Sequence, residues 1–232
     1  MTFPPRVTIG VGAIAAAGAA FTKNVPQDQP SPASQPNPFQ DDYHPGGSQS
    51  GHYHRDMRLR ETTLADLDLL LKWVPSNQAM VMWSGPTFNW PLTRHQLEAY
   101  LKNDRRQYWT GLHPSSKDPV GHASVLADEK TRIMRLGLIL LDPVVRGNGL
   151  GRELVTAAVR AGFESSSLPV MTLGVYSHNA PARHIYENLG FRETGQVRSI
   201  EVEDQQWHAL EMQLDRHDLI ESTPHPGNQE LS

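Results

Sequence analysis

Hydrophobic and polar positions divide the chain near residue 57. Upstream, Val7 to Phe21 is a short apolar stretch of mostly small residues between Arg6 and Lys23. It is followed by a tract from Pro26 to Gly51 rich in Pro, Gln, Ser and Asn with no period. That tract cannot bury a core and is expected to be a disordered linker. Downstream the pattern becomes regular. Met57-Arg-Leu-Arg-Glu61 alternates as a short strand. Thr63 is placed to cap a helix with Leu64, Leu67, Leu70, Leu71 and Val74 on one face, ending before Pro75. A second helical segment contains Met80 and Val81, and an irregular aromatic loop runs from Trp83 to Pro91. Thr93-x-x-Gln96 is a capping-box pattern opening a helix with Leu97, Tyr100 and Leu101.

The second half alternates strands and helices. Strands are predicted over Tyr108 to Leu112, Val120 to Ala127 and Ile133 to Leu141, separated by turn-forming segments at 113–119 and 128–131. Asp142-Pro143 ends the third, and Leu150, Leu154, Val155, Ala158 and Ala161 recur at helical spacing beyond it. Val170 to Val175 is a further strand. A helix follows with Pro181 in its first turn and Gly190 just past its end. Gln196 to Val202 and Trp207 to Leu214 alternate as two last strands, and the tail from Asp215, with Pro224, Pro226 and Gly227, is expected to stay loose. The order implies an extension over 1–56, one α/β domain over 57–214 and a flexible tail over 215–232.

Between the strand ending at Leu141 and the helix opening at Leu150 lies Arg146-Gly147-Asn148-Gly149-Leu150-Gly151. Strand, glycine turn and helix N-terminus together make a phosphate site, because unpaired N–H groups converge where the helix dipole favours negative charge. A dinucleotide fingerprint needs G-x-G-x-x-G, but these glycines run G-x-G-x-G. A P-loop needs Gly-Lys-Ser/Thr, which Gly151-Arg152-Glu153 does not supply. What remains is [Q/R]-x-x-G-x-[G/A], filled by Arg146, Gly149 and Gly151; a plain glycine turn is the alternative reading.

The turn resembles the pyrophosphate loop of the GNAT (GCN5-related) N-acetyltransferases. So does the downstream pattern N-x-x-A-x-x-x-Y-x-x-x-G-F, filled by Asn179, Ala182, Tyr186, Gly190 and Phe191. The resemblance covers Met57 to Leu214. It implies the GNAT fold: a mixed, mostly antiparallel sheet of about seven strands flanked by helices, splayed between its fourth and fifth strands. It implies acetyl-CoA as co-substrate. The pantetheine would meet the backbone of Ile139, Leu140 and Leu141, and the pyrophosphate would meet the N–H groups of Arg146, Gly147, Asn148, Gly149, Leu150 and Gly151. Asn179 would bond the cofactor or organise the start of its helix. Tyr186 would protonate the departing thiolate, or only pack on Phe191.

The implied activity is transfer of the acetyl group to a primary amine, of a small molecule or a peptide, by direct attack in a ternary complex. The alternative is a non-catalytic acyl-CoA-binding or sensor module. Trp83, Phe88 and Trp90 would line the acceptor site or simply cap the core. Many relatives carry a glutamate base just before an Ile/Leu-Gly pair in the fourth strand, where this chain has Arg135-Leu136-Gly137. Arginine stays protonated and cannot be a base. Arg135 would instead bind an acidic group of the substrate or be a solvated strand residue. The base would be a water relay, His122 or Glu61, or the acceptor would arrive deprotonated.

Composition narrows the partners. A formal charge of −4 and a pI near 6.2 give no global field for nucleic acid or anionic membrane, so neither is an expected partner. The expected partners are acetyl-CoA and an amine acceptor, and the expected state is a monomer or homodimer. Zero cysteines exclude disulfides, cysteine–zinc sites and a cysteinyl acyl intermediate. Eleven histidines raise the question of a metal, but His52 and His54 sit in the polar tract and no H-x-x-x-H pair marks a clear helix, so none is expected. A cytoplasmic location is expected, with residues 7–21 leaving a secretory signal, and more weakly an organelle presequence, open.

Overall fold

Seven strands form one sheet in the order β1-β2-β3-β4-β5-β7-β6 in the computed structural model, which describes residues 57–221. The expectations for residues 1–56 and for 222–232 lie outside the described residues. The strands are β1 Arg58–Glu61, β2 Arg106–Leu112, β3 Pro119–Asp128, β4 Ile133–Leu141, β5 Val170–Tyr176, β6 Arg192–Val202 and β7 Gln205–Asp215. All neighbours are antiparallel except β4 and β5. Helices α1 Leu67–Trp73, α2 Asn77–Ser84 and α3 Arg94–Tyr100 lie between β1 and β2 in the chain. Helix α4 Leu150–Ser165 joins the parallel pair, and α5 Ala180–Asn188 follows β5.

The parallel pair is where the sheet opens. Strand β4 pairs with β5 only through Ile133, Met134 and Arg135, opposite Val170, Met171 and Thr172. Beyond Arg135 the two diverge, and the remaining backbone of β4 has no β5 partner. At the same point β4 carries a bulge. Ser124 faces Gly137 and His122 faces Leu140, so Leu138 and Ile139 share the single residue Ala123 across the ladder. Leu138 takes a left-handed φ of 50°, a rare and strained conformation for a branched side chain. An extra residue reverses which face each later side chain occupies. Met134, Leu136, Ile139 and Leu141 therefore pack in the core under α4, while Leu138 and Leu140 join the core beneath α1, α2 and α3.

Helix α4 is seated by a hole in the sheet. Gly111 and Gly121 face each other across β2 and β3. A Cβ on Gly111 would lie 2.8 Å from Leu154 Cδ1, and one on Gly121 would lie 2.7 Å from Leu154 Cδ2. Two absent side chains thus admit the fully buried Leu154, which fixes the first turns of α4 against the strands.

Some local readings change. The segment after Thr63 starts as a single 3₁₀ turn, Leu64–Asp66, before α1, and Leu64 is 57% exposed rather than on the apolar face. A tighter turn rotates Leu64 off the stripe that α1 buries. Thr63 is the N-cap of that turn, and its carbonyl accepts from Asp66 N–H at 3.0 Å. Its N–H and hydroxyl both donate to Asp66 Oδ2, at 2.8 and 2.9 Å. Burial alone would raise the Asp66 carboxyl, but Arg60 and Thr63 hold it at about 2. Thr93 does accept from Gln96 N–H, while the Gln96 side chain reaches the aromatic loop at Asn89 and Pro91 instead of closing a capping box. The chain also stays ordered past Leu214: α6 Arg216–Glu221 follows, and Arg216 donates to the carbonyls of Phe163, Ser166 and Leu168. A cation over the last carbonyls of α4 complements the helix dipole, a tertiary role that a tail composition does not announce.

Candidate active site

Each segment expected to meet the cofactor borders the opening between β4 and β5. Gly147 and Gly149 have φ of 83° and 80°, and a Cβ on either would meet nothing within 4 Å. Glycine is needed here for backbone conformation, and the space above both residues is open. Asn148 Nδ2 donates to the carbonyls of Val145 and Arg146, which pins the turn from within. The N–H groups of Arg146 through Gly151 meet no acceptor among the described residues. Converging, unsatisfied donors at the start of a 16-residue helix are what an anion requires.

Arg146 does not point its guanidinium freely at that space. Its Nε and Nη2 donate to the Leu141 carbonyl at 3.2 and 3.0 Å, so it ties the turn to the end of β4. Arg152, exposed and without an ion pair among the described residues, is the cation on the rim. A slot of about 250 Å³ runs from Gly147, Gly149 and Gly151 to Ile139 and Leu141 on one side and to Pro181 and Ile185 of α5 on the other. Leu140 faces away, so this slot takes the side chains of two of the three expected β4 residues.

Helix α5 is closed at both ends by the residues of its motif. Asn179 Oδ1 accepts from Ala182 N–H at 3.4 Å, and its Nδ2 approaches Met82 Sδ at 3.6 Å. At the other end Gly190, with φ of 94°, donates to Glu187 O, and Phe191 N–H donates to Tyr186 O, both at 3.0 Å. This is a Schellman ending, and its usual apolar contact is the edge-on packing of Tyr186 against Phe191 at 5.8 Å. Tyr186 is 1% exposed and its hydroxyl has no hydrogen-bond partner among the described residues. Burial raises the phenol well above its ordinary value, so it stays protonated.

On the opposite face of β4 a second cavity, of about 510 Å³, lies between α3 and strands β2 to β4. Phe88, Tyr100, Arg106, Leu126, Arg135, Gly137 and Leu138 are among its walls. It meets β4 at the bulge, one residue from the slot. Of the residues expected near an acceptor, Phe88 and Arg135 line this cavity. Trp83 is fully buried against Phe88, and Trp90 is 46% exposed; neither lines it. Arg135 is ion-paired with Glu211 of β7 and donates to Thr172 Oγ1 at 3.2 Å.

Neither named base candidate lines this cavity, although His122 bonds one of its walls, Tyr100. His122 is 1% exposed, with Nδ1 3.3 Å from Thr62 Oγ1 and Nε2 3.1 Å from the Tyr100 hydroxyl. Burial first, and then the charge of Arg106, lower its pKa to about 3, so the ring is neutral at working pH. Glu61 is exposed on the edge strand. Arg106 and Ser124 were not legible as site residues: Arg106 donates to Ser124 Oγ at 2.8 Å, and Ser124 donates to Gly137 O at 3.0 Å, which braces the bulge. No group of His, Asp and Glu among the described residues is arranged to hold a metal ion, and no helix among them is long and apolar enough to cross a membrane.

Fold and glycine cradle together define a CoA-type acyltransferase domain, and comparison with known proteins identifies it. A family model described as an acetyltransferase (GNAT) domain matches residues 56–192. The chain belongs to the GNAT family. Mycothiol acetyltransferase of Acidothermus cellulolyticus is 37% identical over 90 residues, which are 38% of this chain and 26% of that protein. The enzyme of the same name from Thermomonospora curvata is 33% identical over 84 residues, 36% of this chain and 23% of that one. The chain thus spans about a quarter of the length of these curated relatives. Among solved structures, spermidine N-acetyltransferase from Vibrio cholerae in complex with CoA and spermine superposes with a TM-score of 0.63 at 19% identity, covering 71% of this chain and 98% of that one. Ribosomal-protein-alanine N-acetyltransferase from Brucella melitensis gives 0.58 at 22% identity, covering 68% and 99%.

Proposed function

We propose that this chain is an acetyl-CoA-dependent N-acetyltransferase acting on a primary amine. The observation that carries the reading is the row of unpaired N–H groups from Arg146 to Gly151, opening into a slot beside the unpaired length of β4. When bound, acetyl-CoA supplies the activated acetyl group as a thioester. An acceptor nitrogen forms the new C–N bond as the C–S bond breaks, the nitrogen loses a proton, and the thiolate gains one.

The chain's own part is binding, orientation and proton handling. The N–H groups of the cradle would hold the pyrophosphate, and the backbone of β4 beyond Arg135, apart from the Leu141 carbonyl that Arg146 occupies, would pair with an extended pantetheine arm as a strand does. Tyr186 supplies a hydroxyl that is protonated and uncommitted. Its raised pKa makes complete proton transfer to a thiolate, whose thiol is near 8.5, unfavourable. Tyr186 therefore acts chiefly as a hydrogen-bond donor to the developing charge. Tyr186→Phe is expected to lower kcat about 10- to 30-fold with little change in acetyl-CoA affinity, a range below that of a matched general acid. Stopped turnover and calorimetric titration check both halves. An unchanged kcat would remove Tyr186 from the reaction.

No Asp, Glu or His lines the second cavity, which supports an acceptor that enters with its nitrogen already deprotonated. The expected pH profile of kcat/KM then rises about tenfold per pH unit and levels off at the acceptor's own pKa. Two acceptors of different pKa should level off at different pH. A common inflection for both would reveal a base on the protein. The non-catalytic reading, suggested by Arg135 in the place of a carboxylate, separates cleanly: it expects acetyl-CoA binding with no acetylated product from any amine.

A further inference from the structure

The second cavity has a charge character that names its ligand. Three side chains with full charges line it, Arg105, Arg106 and Arg135, and none of its walls is an Asp or Glu. Arg135 is neutralised by Glu211, which approaches it from β7. Arg105 is exposed and lies within the field of Asp128, whereas Arg106 has no carboxylate partner among the described residues. Arg106 is held in place by its bond to Ser124 and lies 5.8 Å over the ring of Tyr100. Nη1 is thus committed to Ser124, Tyr100 is the other neighbour of the guanidinium, and none of these partners carries a charge that neutralises it. The rest of the wall is apolar or neutral: Phe88, Ala99, Tyr100, Leu126 and Leu138.

We infer that the acceptor is a small amine that also carries a carboxylate, bound with its acidic end at Arg106 and Arg105 and its amine toward the bulge at Gly137 and Leu138. The inference rests on the acetyltransferase reading above and adds the substrate class. Arginine recognises a carboxylate through charge-assisted bonds, and a polycation brought to the same wall meets the uncompensated like charge of Arg106. The apolar walls suit a short hydrocarbon or aromatic body between the two ends. Size is adequate, since a cavity of about 510 Å³ falls in the range of ordinary small-ligand sites. The polyamine seen bound to the Vibrio cholerae structural neighbour is the opposite chemistry, so the two predict different acceptor preferences.

The test compares 4-(aminomethyl)benzoate with 4-(aminomethyl)benzamide and with spermidine, using the full chain and acetyl-CoA. The first two share shape and similar amine basicity and differ in charge. The carboxylate is expected to have at least tenfold higher kcat/KM than the amide, mostly through KM, with spermidine poorer than both. Arg106→Gln, which keeps a donor for Ser124, should bring the carboxylate to within about threefold of the amide and leave acetyl-CoA affinity unchanged. Equal or better turnover of the amide or spermidine overturns the inference while sustaining the acetyltransferase reading. If no amine is acetylated, the acetyltransferase reading fails instead, and calorimetry decides the cavity: tighter binding of the benzoate than of the benzamide supports the charge recognition, and equal binding overturns it.

Discussion

Valine at position 149 is expected to weaken acetyl-CoA binding about 100-fold and to lower stability by about 1–2 kcal/mol. The stability cost comes from the backbone. Gly149 holds φ of 80° as the residue before α4, and a β-branched side chain in that left-handed region is strained by roughly that amount. The affinity cost comes from the space above it. Nothing stands within 4 Å of a Cβ at 149, so in the free protein the new side chain meets no clash. It would instead occupy the volume toward which the N–H groups of 146–151 converge. Losing one or two charge-assisted bonds, worth about 1.5–3 kcal/mol each, corresponds to about two decades in Kd. Calorimetric titration and a urea melt separate the two effects. Gly149→Ala should fall between wild type and valine in affinity. Unchanged affinity in both variants would mean that the turn does not touch the cofactor.

Leu154→Ala is expected to cost about 3 kcal/mol of stability, within the usual range of about 2–5 for a buried leucine. Leu154 is 0% exposed and its two methyl groups fill the hole above Gly111 and Gly121. The change leaves a void at the junction of helix and sheet that rigid strands cannot close. The reciprocal change is unfavourable for the opposite reason. A methyl on Gly121 would lie 2.7 Å from Leu154 Cδ2 and 3.2 Å from the Leu140 carbonyl; the side chain can move but the backbone cannot. Together the two substitutions exchange volume between facing positions, so the double variant should be more stable than the sum of the single losses implies. Additive losses in equilibrium unfolding would show that Leu154 and Gly121 are not coupled. Because α4 carries the cradle at its first turn, Leu154→Ala should also weaken acetyl-CoA binding, whereas a buried change remote from α4 should not.

The parts of this molecule that were legible in the sequence are those where one residue type answers one backbone demand. Gly147, Gly149 and Gly190 all have positive φ, and each sits where the pattern of turn and helix end requires it. Asn179 and Pro181 mark the start of α5 for the same kind of reason. The opening between the parallel strands followed from the family resemblance, and pairing that stops at Arg135 bears it out. The bulge did not show. Leu138 to Leu141 is a run of four apolar residues, and with both faces of the sheet covered all four are buried, so no alternation reveals that the faces exchange at Leu138. The acceptor side was the least legible. Trp83, Phe88 and Trp90 share one aromatic loop, yet α2 draws the first into the core and the loop leaves the last in solvent. Arg106 opens a strand in a polar stretch, and nothing in its neighbours announces Ser124, which accepts from it on β3, or Gly137 on β4, to which Ser124 donates in turn. Contacts between strands distant in sequence decide that cavity, and a single sequence carries little record of them.

The most direct measurement is the thermal unfolding of the full chain with and without acetyl-CoA, repeated for Gly149→Val. At about 100 times its Kd the cofactor should add about 2.7 kcal/mol of stability. For a domain of this size that is a rise of roughly 5–10 °C in Tm. At the same cofactor concentration the valine variant should show almost none of it. A cooperative transition that acetyl-CoA leaves unmoved in the wild-type protein would contradict the account, because the row of donors from Arg146 to Gly151 would then be a turn without a ligand.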